Sequence, residues 1–412
     1  MERWAGLLRV KINPHSGPLF TVAASLSLSP SSKSLTVPTT NAIFFTGDKV
    51  EGTGNSVIER LSNNRNIAEI LVSKYSRLGV SVNAWVVEAS VFNGPFAVYK
   101  EFIPCVNSWG EPKCYDHLAF PASSSTVSLL SKCLEERERE RPGTNKESAL
   151  ELAGNTGPAH SLLSCSLSPK ADIRPLSFET CCNSLLEKFL RKSGAAFGIP
   201  EYVDGRRKCD APQVYQFSVK KVINGGDREA SEVRVSTSFL HQAKTVVFGF
   251  SKGGTVLNQL LTELAHTKFL PPSNLLTKDM LRENCSEAWE ESQVLPSSKE
   301  SLLNSISEIH YVDVGLNSAG AYLTDNSVIE KVADRVMHGA GGFRVALHGT
   351  PRQWGDSRRS WITNEKERLL QLLEVAAQKT AGRIQVCERL YFGNNLPNLQ
   401  MHFEIIENLD VS

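Results

Sequence analysis

Short apolar runs alternate with longer segments of helical periodicity along most of the chain. Buried strands are predicted where the runs are rich in β-branched and aromatic residues, at 42–45, 82–87, 245–248, 309–314, 343–347 and 384–391. Helices are predicted where apolar residues recur every three or four positions, at 58–78, 125–139, 256–264, 328–337 and 364–379. Asn364 and Glu367 form a capping box at the start of the last helix. This alternation predicts an α/β fold with a doubly wound, mostly parallel sheet.

The first 40 residues admit two interpretations. Four basic residues against one acidic residue, together with many serines, are typical of an organellar transit segment. The β-branched residues in 19–22 and the strict alternation in 25–28 are instead typical of the first strands of the fold. Both interpretations stay open at this point.

Two segments interrupt the alternation. Residues 142–240 are rich in Ser, Gly, Pro and mixed charge, which predicts a partly disordered insertion outside the sheet. Residues 271–305 are polar and begin with two prolines, which predicts a second, lid-like insertion. The α/β domain is therefore predicted to consist of residues 1–141 and 241–412.

Composition excludes several classes of protein. The 412 residues include 45 basic and 44 acidic side chains, a net charge of +1, and no long basic block that would indicate a nucleic-acid partner. The sequence contains no run of 18 apolar residues, so no transmembrane helix is predicted. The composition is typical of a soluble globular protein. The nine cysteines include no C-x-x-C pair with metal-binding spacing, and neither a metal nor another cofactor is predicted.

The pentapeptide 249–253, GFSKG, carries the strongest indication of chemistry. It lies between the apolar run 245–248 and the helical pattern 256–264, which is the strand, G-x-S-x-G, helix layout of a nucleophile elbow. Glycines two positions from the serine on either side allow the strand and helix backbones to approach closely. The context predicts an α/β-hydrolase-like sheet in which Ser251 is the nucleophile.

A nucleophilic serine needs a histidine base later in the chain. His402 follows the last predicted strand, where this fold delivers its base to the carboxyl edge of the sheet. The alternative is a partly buried structural histidine beside Phe403. His402 is the predicted base.

The orienting acid has two candidates. Asp356 lies on the loop after strand 343–347, the usual position of the acid, although nearby arginines offer it a structural ion pair instead. Asp313, at the end of strand 309–314, is the second candidate. With Asp313 as the acid, His348 would be an alternative base that also obeys the chain order, but His402 would then have no role.

The negative charge that develops on the substrate oxygen needs backbone N–H donors. The N–H of Lys252 and a second N–H from the turn at Gly47, just after strand 42–45, are the predicted oxyanion hole. The alternative for Gly47 is an ordinary turn at a strand end.

Four segments resemble the chromosome 2 open reading frame 69 protein family of eukaryotic α/β-hydrolase-like proteins, and the chain looks like a plant-type member. They are GFSKGGTVLNQL (249–260), FFTGD (44–48), HGTPRQWGDSRRSWI (348–362) and MHFEI (401–405). The resemblance covers about 42–110 and 243–410. It implies a serine-hydrolase-type fold and, from animal members, mitochondrial residence, with cytoplasmic residence as the alternative; it implies no known substrate.

Three functions fit these observations. The first is hydrolysis of an acyl ester, thioester or lipid substrate by Ser251. The second is a catalytically inactive hydrolase fold that acts as an organellar scaffold or binding partner. The third is acyl transfer by the same residues. No particular protein partner is predicted.

Overall fold

The computed structural model describes residues 2–15, 17–140, 243–268 and 294–412. The predicted insertion 142–240 and the first part of the predicted lid, 271–293, lie outside these described residues. Within them, eight strands form one sheet: β1 (Glu2–Val10), β2 (Phe20–Leu28), β3 (Thr40–Phe45), β4 (Val82–Val87), β7 (Lys244–Phe250), β8 (Ile306–Val312), β9 (Phe343–Gly349) and β10 (Ile384–Leu390). A separate hairpin consists of β5 (Val91–Asn93) and β6 (Phe96–Val98).

The strand order in the large sheet is β1-β2-β4-β3-β7-β8-β9-β10. Strand β2 runs antiparallel to both of its neighbours, and every other pair in the sheet is parallel. Parallel strands are joined by helices that cover both faces, which explains why β3 and β4 are buried along their whole length. The fold is α/β-hydrolase-like, which confirms the predicted class.

Nine helices occupy the described ranges. They are α1 (Ser56–Leu61), α2 (Asn64–Arg77), α3 (Pro121–Arg139), α4 (Gly254–His266), α5 (Lys299–Ser305), α6 (Asn326–Met337), α7 (Pro351–Trp354), α8 (Ser360–Lys379) and α9 (Leu399–Asn408). Helix α4 packs against α3 and α6, whereas α9 packs against α1 and α2.

The strands present alternate residues to these two groups of helices. Ile43, Phe45 and Val247 join the main hydrophobic core, together with apolar residues of α3, α4, α5, α6 and α8. Phe44 and Phe248 point to the other face and stack with their ring centroids 6.1 Å apart. Helix α9 therefore covers a face of the sheet that is rich in aromatic rings.

Several element boundaries differ from those predicted. The helix predicted at 58–78 is two helices, because Asn63 leaves the helical conformation and its side chain caps α2 by accepting from Arg65 N. Helix α8 begins at Ser360, so Asn364 lies inside the helix and does not cap it. Apart from Leu19, the runs at 19–22 and 25–28 lie in one strand, β2, which pairs with the unpredicted strand β1.

The second part of the predicted lid belongs to the core. Val294 is fully buried, and Leu302 and Leu303 of α5 are each 1% exposed in the main core. Helix α5 leads directly into β8, so its apolar side chains pack beneath the sheet. The predicted boundary at residue 305 is therefore too late, since the core resumes by residue 294.

Candidate active site

Ser251 follows the last residue of β7 and begins a short 3-10 turn that leads into α4. Its φ is +52°, a left-handed conformation that is uncommon for a residue with a side chain and that is found where the surrounding structure imposes it. A Cβ on Gly249 would lie 2.7 Å from the Gly253 carbonyl oxygen, and a Cβ on Gly253 would lie 2.2 Å from that of Phe45. Glycine is required at both positions because the backbones of the elbow touch.

Asp313 directly follows β8 and is fully buried. Its Oδ1 accepts a hydrogen bond from the Thr350 amide at 2.7 Å, and its Oδ2 accepts one from the Thr350 hydroxyl at 3.0 Å. Asp313 also has a positive φ of 44°. The end of one parallel strand and the loop after the next therefore fix this carboxylate.

His402 lies in the first turn of α9, which Asn398 caps by accepting from the Met401 amide. The His402 Nδ1 is 2.6 Å from Asp313 Oδ2, which is a short hydrogen bond. The His402 ring also packs on Phe250, with the centroids 4.5 Å apart. Because Asp313 occupies Nδ1, the proton is held there and Nε2 is left as the acceptor.

The structure thus places His402 against the residue that precedes Ser251. Ser251 is 9% exposed, and no hydrogen bond joins its hydroxyl to His402 in the described part of the chain. In enzymes without substrate, such catalytic hydrogen bonds are commonly long and shorten when the substrate binds. Ser251 and the His402–Asp313 pair therefore lie at the same edge of the sheet, where the parallel strands β7 and β8 end.

Asp356 contacts neighbouring arginines and not His402, the base with which its sequence position was predicted to pair. Its carboxylate lies 3.3 Å from Arg358 Nε and 3.0 Å from Arg359 Nε, and it caps the turn 357–359 by accepting from the Arg358 amide. Burial alone would raise its pKa, but the hydrogen bonds from the two arginines lower the pKa below the ordinary value. The structure corrects the ranking of the acids: Asp313, rather than Asp356, is hydrogen-bonded to His402.

His348 belongs to a separate buried chain of polar side chains. Its Nε2 is 3.0 Å from His310 Nδ1, and its Nδ1 is 2.9 Å from the Tyr391 hydroxyl. Burial and then the neighbouring His310 lower the pKa of His348 to about 2, so the ring stays neutral. Only its backbone carbonyl contacts Asp313, by accepting from the Asp313 amide at 2.7 Å. The alternative pairing of His348 with the Asp313 carboxylate is therefore wrong.

Gly47 lies directly against the elbow. A Cβ at this position would be 2.5 Å from the Ser251 Cβ and 3.0 Å from its Oγ. The turn after β3 consequently leaves no room for a side chain between Gly47 and Ser251. Gly47, one of the two predicted oxyanion donors, therefore lies against the Ser251 side chain; Lys252, the other, follows Ser251 in the chain.

Sequence reasoning missed the side chain of Lys252. Although it carries a charge, this residue is 2% exposed, and its Nζ lies 3.0 Å from Asp48 Oδ1. Asp48 follows Gly47 on the turn after β3. The sequence signal is a lysine in the G-x-S-x-G pentapeptide and an aspartate just after strand 42–45, but the adjacency of their strands is not a local property of the sequence.

A cavity of about 140 Å³ opens beside this site. Phe250 and Phe403 line it together with the turn after β3 and the start of α2. Ser251 itself is not among the lining residues.

The described ranges contain no group of three or more His, Cys, Asp or Glu residues that could hold a metal ion. None of their helices is both long enough and apolar enough to cross a membrane.

Solved structures with similar arrangements include several hydrolases. One is the siderophore hydrolase EstA from Aspergillus nidulans, which is 10% identical with a TM-score of 0.35. The match covers 98% of the present chain and 92% of EstA. Another is an S-formylglutathione hydrolase from Agrobacterium tumefaciens, which is 8% identical with a TM-score of 0.33. This match covers 98% of the present chain and 92% of the hydrolase. These values are too low to bear on the activity of the present chain.

Curated relatives and a family model give a closer relationship. The mouse mitochondrial protein C2orf69 homolog is 29% identical over 195 residues, which cover 45% of this chain and 43% of the mouse protein. Human mitochondrial protein C2orf69 is 28% identical over 170 residues, 41% of this chain and 34% of the human protein. The chain thus spans less than half the length of these relatives. The C2orf69 family model matches residues 32–378, and the chain belongs to the C2orf69 family.

Proposed function

We propose that this protein is a serine hydrolase that cleaves an acyl ester, thioester or lipid substrate through Ser251, His402 and Asp313. The observation that carries the proposal is the 2.6 Å contact between His402 Nδ1 and Asp313 Oδ2, next to a serine in a left-handed elbow. A structural histidine needs no buried carboxylate held in place by Thr350. A base that must become positively charged during a reaction does need one.

In the proposed reaction, His402 Nε2 takes the proton of the Ser251 hydroxyl as the oxygen attacks the acyl carbon. The protonated ring then gives this proton to the leaving alcohol or thiol, which produces an acyl-serine. Water hydrolyses the acyl-serine by the same two proton transfers, so the acid is released and the enzyme is regenerated. Asp313 stays ionised throughout and stabilises the imidazolium.

The proposed oxyanion hole consists of the backbone N–H groups of Gly47 and Lys252. The close approach of Gly47 to Ser251 supports this role, because a donor must lie about 2.7–3.1 Å from the developing oxyanion. Loss of one such donor costs about 2.7–4 kcal/mol of transition-state stabilisation in serine hydrolases. The turn after β3 therefore matters as much as the side chains.

We also propose a mitochondrial location, because the mouse and human relatives are named mitochondrial proteins. Fluorescence microscopy of the full chain, carrying a fluorescent protein at its C-terminus, tests this proposal. Signal that coincides with a mitochondrial dye supports it, and signal spread through the cytoplasm contradicts it.

Turnover and cellular rescue together test the hydrolase. Purified protein should hydrolyse at least one of a series of p-nitrophenyl esters of increasing acyl length, and Ser251→Ala should abolish this hydrolysis. The exposed Ser76 of α2 provides the matched control, since Ser76→Ala should leave turnover unchanged. In cells lacking the protein, full rescue by the Ser251→Ala chain would exclude an enzymatic role and favour a catalytically inactive scaffold.

A further inference from the structure

A buried ion pair joins the nucleophile elbow to the turn after β3. Lys252 Nζ lies 3.0 Å from Asp48 Oδ1, donates to the Trp109 carbonyl at 2.8 Å and sits 4.8 Å from the centre of the Phe96 ring. Lys252 is 2% exposed, and removing a lysine from water to this extent is strongly unfavourable unless its partners compensate. An elbow serine needs no charged neighbour for its own geometry, so the ion pair calls for an explanation.

The two ends of the ion pair lie next to the two proposed oxyanion donors. Asp48 follows Gly47 in the chain, and Lys252 both follows Ser251 and supplies its own backbone N–H. The Asp48 Oδ1 also accepts a hydrogen bond from the Ala97 amide at 2.8 Å, which connects the turn to strand β6. The side chain of Lys252, one proposed oxyanion residue, therefore contacts Asp48, the residue next to Gly47, the other proposed oxyanion residue.

We propose that Asp48 and Lys252 are positioning residues that hold the N–H groups of Gly47 and Lys252 at the separation that a single oxyanion requires. This inference rests on the proposed function. Gly47 already approaches Ser251 so closely that a Cβ would lie 2.5 Å from the serine Cβ. The Tyr99 hydroxyl also donates to the Thr46 carbonyl of this turn at 2.8 Å, but Lys252 is the side chain of the elbow that holds Asp48, and small movements of a donor cost much of its effect.

The charges themselves explain why both partners are present. Burial raises the pKa of Asp48, and the nearby Lys252 partly offsets this rise. An aspartate without its lysine would place negative charge beside an amide that must stabilise an oxyanion. A lysine without its aspartate would lose the group that draws the turn toward the elbow. The pair therefore positions the donors without adding net charge to the site.

Two single variants and their combination separate positioning from simple stabilisation. Asp48→Asn and Lys252→Met each leave one buried charge without its partner, whereas the double variant removes both charges. A control at a second buried lysine is Glu388→Gln, because Lys366 contacts both Glu367 and Glu388, the latter at 2.5 Å, and lies 4.8 Å from the centre of the Trp354 ring. The measurements are kcat and KM on p-nitrophenyl butyrate and the thermal unfolding midpoint.

If the pair positions the donors, the changes in kcat should not follow the changes in the unfolding midpoint from one variant to the next. Each single variant should lower kcat by about 10²-fold with KM within about threefold of the wild-type value, the size of effect seen when one oxyanion donor is lost. The double variant should regain much of the unfolding midpoint but none of the kcat. Glu388→Gln leaves Lys366 its contact with Glu367, so it should lower the midpoint less than the two single variants do and leave kcat unchanged. Recovery of kcat together with the midpoint in the double variant would overturn the proposal.

The rate of labelling by a fluorophosphonate distinguishes failure of this inference from failure of the proposed function. A wild-type protein that does not react at Ser251 excludes the hydrolase, and the positioning role with it. A wild-type protein that reacts, combined with an Asp48→Asn variant that reacts equally fast, excludes the positioning role alone. We expect the wild-type protein to react and the Asp48→Asn variant to react about 10²-fold more slowly.

Discussion

Replacing Asp313 by asparagine is the substitution that best discriminates between the two acids suggested by the sequence. The Thr350 amide donates to Asp313 Oδ1 at 2.7 Å, so the asparagine oxygen must take this position. The asparagine NH₂ group then replaces Oδ2, which faces His402 Nδ1 at 2.6 Å. An N–H directed at Nδ1 forces that nitrogen to accept, and the imidazole proton moves to Nε2.

The consequence of this tautomer is a large loss of rate. A protonated Nε2 cannot take the Ser251 proton, although every heavy atom stays near its original place. The corresponding substitution in serine proteases lowers kcat by about 10⁴-fold, and we expect a decrease of about 10³–10⁴-fold here. This range corresponds to about 4–5.5 kcal/mol of transition-state stabilisation. Folding should suffer far less, because the NH₂ group can still donate to His402 Nδ1 and to the Thr350 hydroxyl, which must then accept; the loss is that of charge assistance, about 1.5–3 kcal/mol.

The assay compares Asp313→Asn with Asp356→Asn. Asp356 contacts Arg358 and Arg359 and caps the turn 357–359, and asparagine is an equally good cap. Ester turnover by Asp356→Asn should therefore stay within about threefold of wild type, in the range of a lost surface ion pair. Circular dichroism verifies that both variants are folded. A larger loss of turnover in Asp356→Asn than in Asp313→Asn would refute the assignment of the acid.

Three further outcomes follow from the described contacts. Gly47→Ala should abolish ester turnover because its Cβ would lie 3.0 Å from Ser251 Oγ; retained turnover would mean that this turn moves freely. Gly253→Ala should lower the urea midpoint, because its Cβ would lie 2.2 Å from the Phe45 carbonyl oxygen; an unchanged midpoint would exclude this close approach. The folded pKa of His348 is lowered to about 2 by burial, so its contribution to stability is complete above the unfolded pKa and decreases as the pH falls. Lowering the pH from 7 to 5 should cost about 2 kcal/mol of unfolding free energy through this residue, and His348→Gln should flatten the dependence; equal slopes in both proteins would contradict the assignment.

The strands of the sheet could be predicted from local pattern because each depends on its neighbours in the chain. The run 82–87 predicts β4 with the bounds that the structure has. Strand β1 escaped prediction because its basic residues resemble a transit segment. In the folded chain Arg3 donates to the carbonyl oxygens of Ser25 and Val82, at 2.6 and 2.8 Å, so this charge joins three strands.

The acid and the buried ion pair depend on contacts between distant segments. Asp313 lies at the end of one predicted strand and Asp356 on the loop after another, and nothing local distinguishes an aspartate held by Thr350 from one held by its own neighbouring arginines. The contact between Asp48 and Lys252 likewise requires β3 and β7 to be adjacent, which the strand order establishes and the hydrophobic pattern does not. The sequence therefore indicates the candidate side chains and the edge of the sheet where they lie. Which of these side chains contact one another depends on the strand order and on the loops of the folded chain.

Mapping of the fluorophosphonate adduct tests the hydrolase most directly. Purified protein is incubated with the probe and digested, and the modified peptide is identified by mass spectrometry, with Ser251→Ala and Asp313→Asn treated in parallel. The account predicts one adduct, on Ser251, that is absent from Ser251→Ala and forms far more slowly in Asp313→Asn. A folded wild-type protein that acquires no adduct on Ser251, or an adduct that forms equally fast without Asp313, would contradict it.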